Sequence, residues 1–176
     1  QSSLNGDQGN SYRLAEVMAD KLSANSTFKT TRRDLALDPI PHLSQEEMAA
    51  WMTPQDERSG AQVALASISH NLIDELQQSD VVVIGMPMYN FGMPSTFKAW
   101  IDRVARAGVT FRYTENGPEG LLKNKKVIVV AARGGMYAGT PKDSQTTYIK
   151  DVLNFIGITD VEFVYAEGLA TSTKDS

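Results

Sequence analysis

Residues 80–86 read Asp-Val-Val-Val-Ile-Gly-Met (DVVVIGM), and after Asp80 nothing polar interrupts the run. A strand with one face in water alternates apolar and polar residues, whereas one apolar on both faces belongs inside a parallel sheet covered above and below. Residues 126–132 (KVIVVAA) repeat the pattern, and residues 160–166 (DVEFVYA) give a third inner strand. Around these runs apolar residues recur at helical spacing. Leu14, Val17, Met18 and Leu22 mark a first helix capped by Asn10 or Ser11, and Val63, Ala66, Leu72, Ile73 and Leu76 mark a second over residues 61–76. Ser95 caps a third helix running to about Arg106, and a fourth covers residues 144–156. Strands alternating with helices at this spacing predict an α/β sandwich, a parallel sheet between two helical layers.

The remaining segments are weaker. Residues 27–35 (TFKTTRRDL), rich in β-branched side chains, predict a strand near a sheet edge. Residues 38–54 hold three prolines and no clean period, which predicts a long loop with one helical turn. Residues 109–121 (VTFRYTENGPEGL) predict a short hairpin turning at Asn116-Gly117. Lys123–Lys126 (KNKK) reads as a solvated turn. The first residues enter a Ser/Gly/Asn loop with no strand before it, and nothing helical follows residues 160–166. The expectation is a natural chain longer by one strand upstream, about 5–6 residues, and by one helix downstream.

The chain has 176 residues, room for a single domain over 1–176. It lacks cysteine, which excludes disulfides, thiolate metal sites and a cysteine nucleophile. Lys and Arg number 17 against 21 Asp and Glu, a net charge of -4, which argues against nucleic acid and anionic membranes as partners. The longest apolar runs, residues 81–88 and 127–132, are too short to span a bilayer, so the expected location is the cytoplasm. His42 and His70 lack partners at ligand spacing, and no metal is expected. Asn25-Ser26-Thr27 fits a glycosylation pattern that has no meaning for a cytoplasmic chain.

Ligands of open parallel sheets sit beyond the carboxyl ends of the strands, and three loops fall there. In the first, residues 2–11, the hydroxyls of Ser3 and Ser11 and the amides around Gly9, Asn10 and Ser11 suit a phosphate at a helix start; an ordinary capped helix uses the same residues. In the second, residues 85–95, Met88, Tyr89 and Phe91 offer soft apolar surface and Asn90 an amide dipole, between stiffening prolines. Core packing and a turn at Asn90 account for it equally. The third, Ala132-Arg133-Gly134-Gly135-Met136-Tyr137, pairs close-approach glycines with a positive charge, or is a plain strand-to-helix turn.

The string MPMYNFGMPSTFKAWIDRVARAGVTFRYTENGPEGLLKNKK (residues 86–126), followed by ARGG and NFIGITDVEFVYAEG, resembles the bacterial FMN-dependent NADH:quinone oxidoreductases, or azoreductases, of flavodoxin-like fold. The likeness covers nearly the whole chain and is weakest at residues 46–60. It implies a flavodoxin-like three-layer sandwich binding FMN. Ser3 and Gly9-Asn10-Ser11 match the family's phosphate loop. Met88-Tyr89-Asn90-Phe91 match the strip along the isoalloxazine, with Asn90 at its reactive edge. Ala132-Arg133-Gly134-Gly135 match the loop at the pyrimidine end. Tyr113 and Phe155 match aromatics of a substrate pocket formed across a two-fold homodimer.

Two departures are visible. The family often has Ser in place of Gly9 and a polar residue in place of Ala132, so up to two side-chain contacts to FMN are lost, at about 1 kcal/mol each. The implied reaction is ping-pong: NADH or NADPH reduces the flavin, then a quinone or azo compound takes two electrons. Asn90 orients the reacting edge, the Gly134 and Gly135 amides face negative charge, and no side chain serves as obligatory acid or base. Lacking a basic pair for a 2′-phosphate, the chain leans to NADH. Trp51 and Met52 are candidates for a lid, though a lone Trp also serves as a local anchor. The rival readings are a flavodoxin-type electron carrier and a flavin-free regulatory or structural relative that keeps the fold.

Overall fold

The computed structural model describes residues 1–24 and 27–171, which leaves Asn25 and Ser26 of the glycosylation pattern outside it. The elements in order are α1 (Asn10–Ala24), α2 (Gln45–Met52), α3 (Gly60–Gln78), β1 (Val81–Pro87), α4 (Ser95–Val104), β2 (Phe111–Thr114), β3 (Gly117–Gly120), β4 (Lys126–Ala132), α5 (Ser144–Phe155) and β5 (Asp160–Ala166). Strands β1, β4 and β5 form one parallel sheet in that order, in register from Val81↔Lys126↔Asp160 to Pro87↔Ala132↔Ala166. All three therefore end at the same level, and their following loops emerge side by side.

The runs apolar on both faces are the centre of the molecule: Val127, Val129, Val130 and Ala131 of β4 are shut off from solvent. On one face Ile128 and Val130 pack with Ala15 of α1; the other carries the larger core of Leu72, Ile73, Met86, Trp100, Ile101 and Ile149. The buried face of α1 is Ser11 and Ala15, with Met18 and Leu22 beside them, while Leu14 and Val17 are exposed. Val63 of α3 is likewise exposed. The reason α1 sits so close is Gly85: a side chain there would meet the Ser11 carbonyl at 3.0 Å.

Besides β5, expected as an inner strand but lying at the edge of the sheet among the described residues with Val164 and Tyr165 exposed, several expectations need correction. Residues 27–35 form no strand; Arg33 O and Leu35 N–H bond only to Gln1, and the segment is held sideways by Arg32 to Glu16 and a bidentate Arg33–Glu75 pair. Between it and the outer edge of β1 lies a cavity of about 520 Å³, lined by Val81 to Gly85 and by Leu72, Leu76, Phe97 and Trp100. Among the described residues β1 has a strand neighbour on one side only. Second, the long loop contains a full helix, α2, whose start is Ser44 accepting from the Glu47 N–H at 3.2 Å.

Third, the helix starts differ: Gly9 supplies the carbonyl that opens α1, and Pro94, not Ser95, opens α4. The hairpin forms, but its two-residue turn is Glu115-Asn116, with Gly117 already paired to Thr114. Fourth, the Lys-rich segment is not merely solvated: Lys125 Nζ donates to the Gln77 and Ser79 carbonyls, closing the end of α3.

Helix α2 is fixed by a pair far apart in sequence. Arg103 of α4 donates through Nε and Nη2 to the two carboxylate oxygens of Glu47, at 2.9 and 2.6 Å, with the two side chains 0% and 3% exposed. Nη1 of Arg103 turns to Ala99 O, and Ser69 of α3 donates to Arg103 O.

Candidate functional site

The three loops named from sequence meet at the carboxyl end of the sheet. Leu4 N–H of the first donates to the Tyr89 hydroxyl of the second at 3.0 Å, and Met88 N–H of the second donates to Ala132 O, where the third begins, at 3.1 Å.

In the first loop Ser2, Ser3 and Ser11 are all buried. Ser2 Oγ donates to Gly85 O and anchors the chain to β1. Ser3 Oγ accepts from Asn5 N–H and lies against Gly9, where a side chain would collide with it. The glycine departure thus follows from the course of the loop. Ser11 Oγ is buried without a hydrogen-bond partner among the described residues, and Asn10 beside it is exposed. The leading amides of α1, which helix geometry leaves unused, open at the same place.

In the second loop Asn90 and Phe91 both have left-handed backbone, φ 50° and 65°, between the paired residues Tyr89 and Gly92. This is the tight turn that asks for positive φ twice; Asn accepts it readily, whereas for Phe it costs about 1–3 kcal/mol. The cost presents both side chains outward: Asn90 is exposed, and Phe91, half exposed, meets the Tyr137 ring edge-on at 5.5 Å. Met88 and Tyr89 are half-buried beneath. Core packing therefore does not account for Phe91.

In the third loop the carbonyls of Arg133, Gly134 and Gly135 all accept amides of residues 168–170. The Gly134 and Gly135 N–H groups have no partner among the described residues. A side chain on Gly135 would meet the Tyr137 ring at 2.8 Å, while one on Gly134 would meet only Ala170 Cβ at 3.2 Å. Ala132 is buried, and its carbonyl is taken by the Met88 N–H.

Arg133 does not supply free positive charge. Its guanidinium is buried, pairs with Asp143 at 2.9 Å and Glu167 at 3.1 Å, bonds Gln145 and Thr146, and lies over the Tyr165 ring. Burial alone would raise the pKa of both carboxyls, but their bonds outweigh it. Asp143 is held below its usual value by Arg133 and by Thr146, and Glu167 by the Tyr137 and Ala138 amides and Arg133.

Tyr113 and Phe155 belong to a separate aromatic wall: Phe111 meets Tyr113 at 5.7 Å and Phe155 at 4.3 Å. Phe155 ends α5, whereas the three loops gather at its start, roughly 17 Å away at 1.5 Å per residue. One copy of the chain does not bring wall and loops together. Trp51 is half-buried 5.3 Å from the Arg106 guanidinium, and so is anchored, while Met52 is 84% exposed. His42 and His70 lie on the surface.

Sequence reasoning missed Asp143, Ser144, Gln145, Thr146 and Glu167, which hold the loops from behind. The first four left one trace, the polar run DSQT opening the last helix, and Glu167 left none.

These features fit a flat cofactor with a phosphate tail: at a helix start a buried hydroxyl, and in the glycine loop two amides, all without partners among the described residues, and apolar surface between them. A family model described as flavodoxin-like fold matches residues 1–176. An FMN-dependent NADH:quinone oxidoreductase of Alteromonas mediterranea is 55% identical over 168 residues, 96% of this chain and 84% of the relative. A protein of the same name from Alcanivorax borkumensis is 56% identical over 169 residues, 96% and 85% of the two chains. The crystal structure of an azoreductase from Bacillus anthracis superposes with a TM-score of 0.84 at 26% identity, over 94% of this chain and 82% of that one.

Proposed function

We propose, since this chain belongs to the flavodoxin-like-fold family of the FMN-dependent NADH:quinone oxidoreductases, that its three loops seat FMN for the reduction of quinones and aromatic azo compounds. When bound, FMN would supply the redox chemistry, a two-electron transfer from NADH or NADPH to the acceptor in a ping-pong cycle. The protein supplies position and field. Ser11 Oγ and the first amides of α1, with Ser3, Gly9 and Asn10 around them, hold the phosphate on neutral donors. Met88, Tyr89 and Phe91 lie along the ring and Asn90 orients its reacting edge. Ala132 and Arg133 set the course of the loop, and the Gly134 and Gly135 N–H groups face negative charge at the pyrimidine end. No side chain need move a proton obligatorily.

The observation that carries this reading is the convergence of the free donors at Ser11, Gly134 and Gly135 on one end of the sheet, with the Asn90-Phe91 turn between them. The distance between loops and aromatic wall favours a homodimer, in which Tyr113 and Phe155 of one copy close the acceptor pocket of the other. We place the enzyme in the cytoplasm, with NADH as the main donor.

The test is spectroscopic. FMN-loaded protein titrated anaerobically with NADH should bleach in one two-electron step and recover colour with benzoquinone. A yellow protein that ignores both reduced nicotinamides would instead be an electron carrier, and failure to take up FMN would remove the reading.

A further inference from the structure

The side chain of Gln145 is 1% exposed and bonds two of the three loops at once. Its Oε1 accepts from Arg133 Nη2 at 3.3 Å, and its Nε2 donates to Pro87 O at 3.0 Å and Gly92 O at 3.4 Å. Only this orientation of the carboxamide satisfies its neighbours, because a guanidinium can only donate and a carbonyl can only accept. Next to it, Ser144 Oγ donates to Phe91 O at 2.6 Å. The first turn of α5 thus grips the Asn90-Phe91 turn by the carbonyls of Phe91 and Gly92, while through Arg133 it grips the start of the glycine loop. The two main-chain bonds between Tyr89 and Gly92 close the turn from within, and α5 holds it from outside.

We propose that Gln145, assisted by Ser144, is a positioning residue of the flavin site. Its buried carboxamide fixes the Asn90-Phe91 turn against the Gly134-Gly135 loop, and so sets where the ring of the cofactor rests. The inference builds on the FMN reading above. It assigns Gln145 no contact with the cofactor; its effect passes through Pro87, Gly92 and Arg133.

Gln145→Glu tests it, because the new side chain keeps the size and the Arg133 bond but can no longer donate to the two carbonyls. Ser144→Ala, at an exposed position, is the companion that folds whatever happens to the first. Ser69→Ala removes a buried bond of comparable kind, to Arg103 O at 2.7 Å, away from the loops. FMN dissociation constants by fluorescence quenching, visible circular dichroism of bound FMN, and hydrogen exchange at the Tyr89 and Gly92 amides of the cofactor-free proteins are the readouts. For Gln145→Glu we expect FMN binding about tenfold weaker, a changed dichroism spectrum and about tenfold faster exchange, the scale of one lost hydrogen bond. Ser144→Ala should move in the same direction by about threefold, and Ser69→Ala should leave all three readouts as they are. Wild-type binding, dichroism and exchange in Gln145→Glu would overturn the proposal, as would equal changes in Ser69→Ala. If wild type takes up no FMN while exchange in Gln145→Glu still quickens, the cofactor reading fails and the hold of Gln145 on the turn stands.

Discussion

Arg133 and Glu167 meet at 3.1 Å where β4 gives way to the glycine loop, and the same Glu167 oxygen accepts the Tyr137 and Ala138 amides at 2.9 and 2.8 Å. One carboxylate thus ties the loop's beginning to its end. Because the folded protein holds the Glu167 and Asp143 pKa values down, the stability they contribute is complete above the ordinary carboxylate range and is lost as pH falls through the lowered values. Glu167→Gln should be less stable than wild type to urea between pH 5 and 7 by about 1.5–3 kcal/mol. The gap should close only below about pH 4. A gap already gone at pH 6 would show that Glu167 titrates far higher than its bonds require.

Glu47 and Arg103 form a further deeply buried ion pair, and neither has solvent to fall back on. Glu47→Ala leaves a guanidinium stranded and should cost about 3–5 kcal/mol in chemical unfolding. Replacing both partners at once, Glu47→Leu with Arg103→Met, should recover most of that. A double variant no better than the single one would mean that α2 needs the charges themselves.

Gly134 and Gly135 adjoin but should respond differently. Gly135→Val drives Cβ into the Tyr137 ring, which must swing off Phe91 into the space above the loop. FMN occupancy after purification should fall below a tenth of wild type, about 1.4 kcal/mol or more of lost binding. Gly134→Ala needs only a small shift of Ala170 and should retain most of its flavin. Equal occupancy in the two would remove Gly135 from the ring's edge.

Tyr113 is 74% exposed and touches Phe111 by its edge. Tyr113→Ala should leave unfolding within about 0.5 kcal/mol of wild type, as surface changes do, yet raise KM for aromatic acceptors while leaving KM for small benzoquinones nearly untouched. Steady-state kinetics across acceptor sizes reads this directly. An unchanged KM for every acceptor would take the wall out of the pocket.

Strands β1 and β4 were legible because a side chain buried on either face of a sheet leaves no polar alternation, and Val81 to Met86 and Val127 to Ala132 have none. Residues 27–35 misled for the converse reason: β-branched composition states what suits a strand, not whether a neighbour is there to pair with. Helix α2 had a visible start at Ser44 with Glu47 three residues on, but the prolines on both sides of it hid the pattern. The three loops could be named from sequence, whereas their fastening could not. Gln145 lies 58 residues from Pro87, and Arg133, read as a charge for the ligand, spends that charge on Asp143 and Glu167. Contacts closed over such separations leave no local signature.

Gly120 and Gly157 touch backbone to backbone, so closely that a side chain on Gly120 would collide with the Gly157 main chain. This contact rivets the hairpin to the far end of α5, whose near end carries Ser144 and Gln145. The helix is therefore a strut of fixed length and fixed pitch between the loops and the aromatic wall. Point changes along its outer side are affordable, but a single inserted or deleted residue would turn one end through about 100° against the other. Substitutions leave that spacing and pitch as they are; a longer or shorter α5 changes both.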